Sequence, residues 1–320
     1  MRRILALIFI TTAVFAQNLI DTYRFEGVNS LIKQIEKTIQ SKDYWLKRIK
    51  NDDVKFGYFQ SPHFILFCNK RAKTLQVFAY KDGKLNEVAM FSNIIVGKLG
   101  DKEKEGDLKT PIGVYTLINK IKPSNTFYGP LAFVTSYPNL FDKVHHKDGY
   151  GIWIHGKPLD GERGDVSKGC IVLNNDEILR LDRLINYKKT TLEITEYPLF
   201  ARKEDVAQIL ATLYKWRYAW KNSDIKKYIS FYDKDFQRSN GMNLKEFIAY
   251  KKRVFRNKRG KKVEIYFKNI KIVPYQNIKN LPIYEITFHE DYISPGYEFH
   301  GYKEIYMIKR GDKFKILIEK

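Results

Sequence analysis

Cysteine is nearly absent. Cys68 and Cys170 are the two in a chain of 320 residues, where a secreted fold stapled by disulfides would carry more. A stable core must therefore come from packing. The material for it is present, since 44% of residues are hydrophobic and 15% aromatic, and this excludes a disordered chain. Acid is also in short supply, with 36 Asp and Glu against 57 Lys and Arg and a formal net charge of +21. Beyond residue 16 no segment has the length and apolarity of a membrane span. Internal repeats and low-complexity tracts are missing as well.

The apolar run that does stand out is at the start. Met1-Arg2-Arg3 precedes apolar residues from Ile4 to Phe15, then Ala16. A basic start, a short apolar stretch, and Val14 and Ala16 at the small-residue sites read as a secretory signal over 1–16, cut before Gln17. Excess positive charge usually points to nucleic acid. Outside the cytosol it meets the carboxylates and phosphates of wall and lipid instead, so no nucleic-acid partner is expected.

Between residues 17 and 58, Leu31, Ile35 and Ile39 recur every four residues with Ile32 beside them, and Lys33, Gln34, Glu36 and Lys37 fill the other face. This spacing predicts one amphipathic helix over 28–49. Such a helix must bury its apolar face on the main domain or on a second subunit, so a homodimer through this segment is one expectation.

Residues 59–198 read mostly as strand. The stretch 74–80 is rich in β-formers, Asp82-Gly83 supplies a hairpin turn, and 87–96 returns. Further short strands are predicted at 113–118, 152–155 and 191–195, and Asn174-Asn175-Asp176 caps a helix carrying Ile178, Leu181 and Ile185. Residues 199–320 read as a separate unit. It opens on a helix with Val206, Ile209, Leu210, Leu213, Trp216 and Trp220, and continues as strands near 263–267, 283–288, 303–309 and 314–318, an α+β arrangement. It holds 27 Lys and Arg against 14 Asp and Glu, most densely over 251–262.

Two segments set reactive side chains beside glycines: Gly151-Ile152-Trp153-Ile154-His155-Gly156, and Ser167-Lys168-Gly169-Cys170-Ile171-Val172-Leu173-Asn174. A thiol attacks a carbonyl as thiolate, and a neighbouring imidazole takes its proton. The imidazole needs a third group to fix its tautomer, and a backbone carbonyl near Gly156 suits that role. Gly169 lets the chain turn so that amides around Cys170 face a developing oxyanion. Upstream, Thr110-Pro111-Ile112-Gly113-Val114-Tyr115 joins a proline-fixed φ to a glycine that admits a bend or a close neighbour. Cys68, after Phe64-Ile65-Leu66-Phe67, reads as a small core hydrophobe. His145, His146 and Asp148 read as a polar loop rather than a metal site. Neither metal nor cofactor is expected.

Taken in order, these motifs resemble the YkuD-type L,D-transpeptidase family: Thr-Pro-x-Gly-x-aromatic, then His-Gly, then Ser/Thr-x-Gly-Cys. The resemblance implies a mainly β catalytic domain over 59–198, a β-sandwich with a few helices. Cys170 would be the nucleophile and His155 the base, with Gly156 beside it. The amides of Gly169 and Cys170 would form the oxyanion hole, and Trp153, Ser167, Lys168 and Arg163 would lie around the substrate. Many members carry His where Lys168 stands and Arg where Val172 stands. With the downstream domain, this variant is similar to the cell-shape L,D-carboxypeptidases of helical and curved Gram-negative bacteria. That implies a periplasmic enzyme trimming peptidoglycan tetrapeptide stems to tripeptides with release of D-Ala. The alternatives are an L,D-transpeptidase that forms 3–3 cross-links or attaches proteins to the wall, and a non-catalytic wall-binding protein. Residues 199–320 resemble the nuclear transport factor 2-like (SnoaL-like) fold, with 216–220 and 224–236 fitting its opening helices. This implies a cone-shaped α+β domain with a pocket for an unknown ligand.

Overall fold

The computed structural model describes residues 2–161, 164–258 and 260–320, with side chains from residue 18 onward. The helix predicted over 28–49 is in fact two. α1 (Arg2–Ile39) is interrupted at Gly27, whose φ of 82° is not helical. α2 (Lys42–Arg48) starts afresh because Ser41 is extended and its side chain accepts a bond from the Tyr44 amide, an N-cap. The buried face of α1 also differs from its apolar repeat. Glu36, assigned to the polar side, is buried and pairs with Arg217 at 2.6 Å, while Ile20, Phe25, Val28, Ile32 and Ile35 remain exposed. A buried carboxylate persists only when paired, and the partner that rotates this helix comes from 181 residues away.

β1 (Tyr58–Phe59) leads into β2 (His63–Asn69), β3 (Thr74–Lys81), β4 (Lys84–Ser92), β5 (Gly113–Ile121), β6 (Ala132–Thr135), α3 (Leu140–Val144), β7 (Trp153–His155), β8 (Ile171–Val172), α4 (Asn175–Leu184) and β9 (Thr190–Thr195). Strands β2 to β9 make one mixed sheet in the order β4-β3-β2-β9-β5-β6-β7-β8. A bridge between Ile95 and Val172 ties the last strand back to the chain leaving β4. The layers expected of a sandwich are thus one sheet curled round a core that includes Leu66, Leu75, Tyr115, Phe133, Ile154 and Ile171. α4 begins at a capping box between Asn174 and Glu177 and lays Ile178 and Leu181 on that core.

The tail contains α5 (Lys203–Lys221), α6 (Ile225–Ile229), β10 (Tyr232–Arg238), α7 (Leu244–Lys258), β11 (Glu264–Pro274), β12 (Ile283–Ser294), β13 (Tyr297–Arg310) and β14 (Lys313–Glu319). Its sheet runs β1-β11-β12-β13-β14-β10. Of the stretch 224–236 expected as helix, only α6 is helical. Tyr232 and Phe236 lie on a strand beside β14, with both rings against Phe247 of α7. The basic stretch is largely the outer side of α7, where Lys252, Arg253 and Arg256 are exposed and Phe255 is buried.

The two domains, expected as separate units, share a core. Phe56, Phe67, Phe78, Val114 and Phe141 pack with Val273, Tyr275, Tyr306 and Ile308. Gly113 permits the approach, since a Cβ there would lie 2.8 Å from the Tyr275 hydroxyl. Asn139, the N-cap of α3, donates to that same hydroxyl at 3.0 Å. β1 completes the join by pairing with β11 at the edge of the tail sheet. Among the described residues no helix is long and apolar enough to cross a membrane.

Candidate active site

β7 and β8 run parallel, with Ile154 opposite Ile171 and His155 opposite Val172. Side chains alternate across a strand. Ile154 and Ile171 enter the core, so Trp153, His155, Val172 and Cys170, the residue just before β8, belong to the other face. Cys170 is therefore a diagonal neighbour of His155, one strand across and two positions along. The fourteen intervening residues bring the two together by closing a parallel crossover, which neither motif encodes by itself.

His155 is fully buried, and its Nδ1 lies 2.6 Å from the Gly156 carbonyl oxygen. A carbonyl only accepts, so Nδ1 carries the proton and Nε2 is the basic nitrogen of the neutral ring. Tyr128 meets the imidazole edge-on at 5.0 Å and packs on Trp153 at 4.9 Å. It is presented by a short turn, Thr126–Tyr128, capped by Asn125. Trp153 is half-buried, which makes it a wall of the site. Nothing in the sequence singled out Tyr128, because an aromatic in a loop has no periodicity to reveal it.

The Cys170 thiol donates to the Gly151 carbonyl at 3.4 Å and is in no disulfide. Cys68, in the middle of the sheet on β2, is fully buried, and burial pushes its thiol up to about 12. A thiol so placed stays protonated and packs as a hydrophobe.

The turn before Cys170 is held from within. Ser167 turns inward. It is buried, and its hydroxyl donates to the Cys170 carbonyl at 2.6 Å while accepting from the Gly169 amide at 3.1 Å. The Gly169 amide is thereby engaged inside the turn. Gly169 is needed for shape. Its φ is +122°, and a Cβ would sit 2.9 Å from the Lys109 carbonyl oxygen. Lys168 projects outward and is exposed. Arg163 lies outside the described residues. His145 stacks on Phe141 at 4.2 Å and bonds its carbonyl through Nδ1. Among the described residues no group of His, Cys, Asp or Glu is arranged to hold a metal.

The tail cone contains a cavity of about 940 Å³ lined by Trp220, Lys251, Lys258, Tyr292 and Lys303, with Glu290 and Glu319. Burial pushes Lys251 and Lys258 each down to about 8.

Residues 63–194 match the model of the L,D-transpeptidase catalytic domain, YkuD, and residues 208–320 that of the Cds6 C-terminal NTF2-like domain. The helical cell shape determining protein Pgp2 from Campylobacter jejuni is 42% identical, with a TM-score of 0.83 over 88% of this chain and 99% of that one. The chain belongs to the YkuD L,D-transpeptidase family. Bdellovibrio bacteriovorus Bd1075 shares the YkuD-plus-tail shape more distantly, at 29% identity and a TM-score of 0.65, covering 84% of this chain and 96% of that chain. The putative L,D-transpeptidase YafK of Escherichia coli (strain K12) is 29% identical over 107 residues, which span 32% of this chain and 40% of that protein. The YkuD match contains β2 through most of β9, and with it both halves of the His155 and Cys170 face.

Proposed function

We propose that this protein is a peptidoglycan L,D-carboxypeptidase, exported by the segment 1–16 to the periplasm, where it trims tetrapeptide stems and so affects cell shape. The observation that carries the reading is the shared face of Cys170 and His155, with the imidazole tautomer fixed by Gly156 so that Nε2 is the basic atom. On substrate binding the thiol leaves the Gly151 carbonyl and passes its proton to Nε2. The thiolate attacks the carbonyl that links the L-centre of the third residue to D-Ala. The Cys170 amide stabilises the oxyanion. The imidazolium returns the proton to the departing D-Ala amine, and water drawn up by His155 then hydrolyses the thioester to give the tripeptide.

Water is favoured over a second stem by what stands near the sulfur. Many relatives carry Arg two positions after the nucleophile. Here Val172 is buried, with its amide and carbonyl bonded to Ile95, so no cation is available at that position to hold an acceptor's carboxylates. Incubation of the purified protein with disaccharide tetrapeptide, read by mass spectrometry, is expected to give tripeptide and D-Ala. Dominant 3–3 cross-linked dimers would make it a transpeptidase, and no turnover by folded protein would make it a wall-binding protein.

Gly169→Ala tests the turn. The added Cβ opposes both the backbone conformation and the Lys109 carbonyl, and a displacement of about 1 Å at the nucleophile costs roughly a hundredfold in rate. Tripeptide release is expected to fall by about that factor, while thermal melting shows the fold retained. Full activity in this variant would mean that the turn does not position the thiol.

A further inference from the structure

The tail sheet has two faces. The inner one closes the cone, and the outer one looks at the YkuD domain across a cavity of about 790 Å³ that both domains line. Strand register builds a polar row on this outer face. Lys271 of β11 lies opposite Thr287 of β12, and Thr287 opposite Glu304 of β13. Glu285, two positions before Thr287, shares that face. Next door the same interface is filled by Val273 and Tyr306 as apolar core, so the polar row is a local departure from what the interface otherwise uses.

Lys271 acts on both glutamates through space, but these groups do not meet in direct contact. Among the described residues no ion pair or hydrogen bond joins Lys271 to either glutamate. Thr287 Oγ1 is buried without a hydrogen-bond partner, and Glu304 accepts only from the Tyr306 hydroxyl, at 2.8 Å. Burial pushes Glu285 up to about 8, with Glu304 raising it and Lys271 opposing, and burial pulls Lys271 down against the pull of both glutamates. The facing wall adds Lys143 and Lys188. His63 lines the same cavity, but its Nε2 is engaged with Thr191 Oγ1 at 2.8 Å and burial holds the ring neutral.

The shifts favour the neutral forms of these half-buried groups, and ionising them is costly until a counter-charge meets each one directly. A cavity this size is in the range that encloses small ligands. A simple anion would answer only the lysines, and a simple cation only the glutamates. We propose that the interdomain cavity binds a short zwitterionic peptide, its ammonium between Glu285 and Glu304 and its carboxylate on Lys271 and the lysines of the YkuD wall. This site is distinct from the Cys170 face and does not depend on the proposed reaction.

Calorimetric titration of the whole chain with trialanine tests it. Saturable binding is expected, about tenfold weaker for N-acetyl-trialanine and for the C-terminal amide, each of which lacks one charge. Glu285→Gln, equal in shape and neutral, is expected to lose about tenfold in affinity at unchanged melting temperature. Cys170→Ala is expected to bind as the unaltered protein does, which separates this site from the active site. Should Glu285→Gln unfold, the exposed Lys143→Gln on the opposite wall reads out the same loss. Absence of saturable heat with trialanine overturns the proposal. So does equal affinity for the acetylated peptide, or undiminished binding by the folded charge variants.

Discussion

Cys170→Ala is expected to remove tripeptide release from disaccharide tetrapeptide, by a factor on the order of 10⁴ or more, with melting temperature changed little. The two halves of that result have different causes. The Cys170 sulfur is the protein atom that bonds to the substrate carbonyl carbon in the proposed chemistry, so no neighbour substitutes for it. The side chain is small and half-buried, and its 3.4 Å thiol contact to Gly151 is a weak bond, so its loss disturbs packing by no more than about 1 kcal/mol. His155→Ala should also remove most activity, and adding it to Cys170→Ala should cost nothing further, because a nucleophile and its base act as one unit. A double variant clearly slower than Cys170→Ala would mean that the imidazole works apart from the thiol. Turnover surviving in Cys170→Ala would end the covalent mechanism.

Phe141→Ala is expected to be the most damaging single change to the fold. Phe141 belongs to α3 of the YkuD domain, yet its ring packs 4.5 Å from Tyr275 and 5.4 Å from Tyr306 of the tail. Truncating a buried phenylalanine costs about 3–5 kcal/mol, a shift of roughly 10 °C in a domain of this size. The loss falls on the shared core, so the single melting transition expected of the unaltered protein should split in two as the domains uncouple. A single transition at an unchanged temperature would show that the domains are held by other contacts, such as β1 against β11.

How far the sequence carries depends on how local each feature is. The strands at 74–80 and 191–195 and the helix from 203 were legible because side-chain periodicity fixes the buried side of an element without reference to distant residues. The α4 cap at Asn174 was legible because a capping box closes within three residues. The N-terminal helix was misread for the opposite reason. Its apolar repeat is real, but Arg217, far along the chain, captures Glu36, and of the row Ile39 packs on the tail core while Ile32 and Ile35 stay exposed. The segment 232–236, expected as helix from the resemblance to the nuclear transport factor 2-like fold, is a strand, where Phe247 and β14 receive it.

The same division runs through the site. Sequence alone determined the reactive groups, a thiol after a glycine turn and an imidazole beside a carbonyl, since these are properties of residue type and of neighbours in the chain. Tertiary structure decided the rest. Strand pairing put Cys170 and His155 on one face, the Ser167 hydroxyl took the Gly169 amide into the turn, and Tyr275 fused two domains over Gly113. Each of those outcomes is a contact between side chains or strands whose separation along the chain is set by loops, and a loop's sequence does not specify the register at which its ends meet.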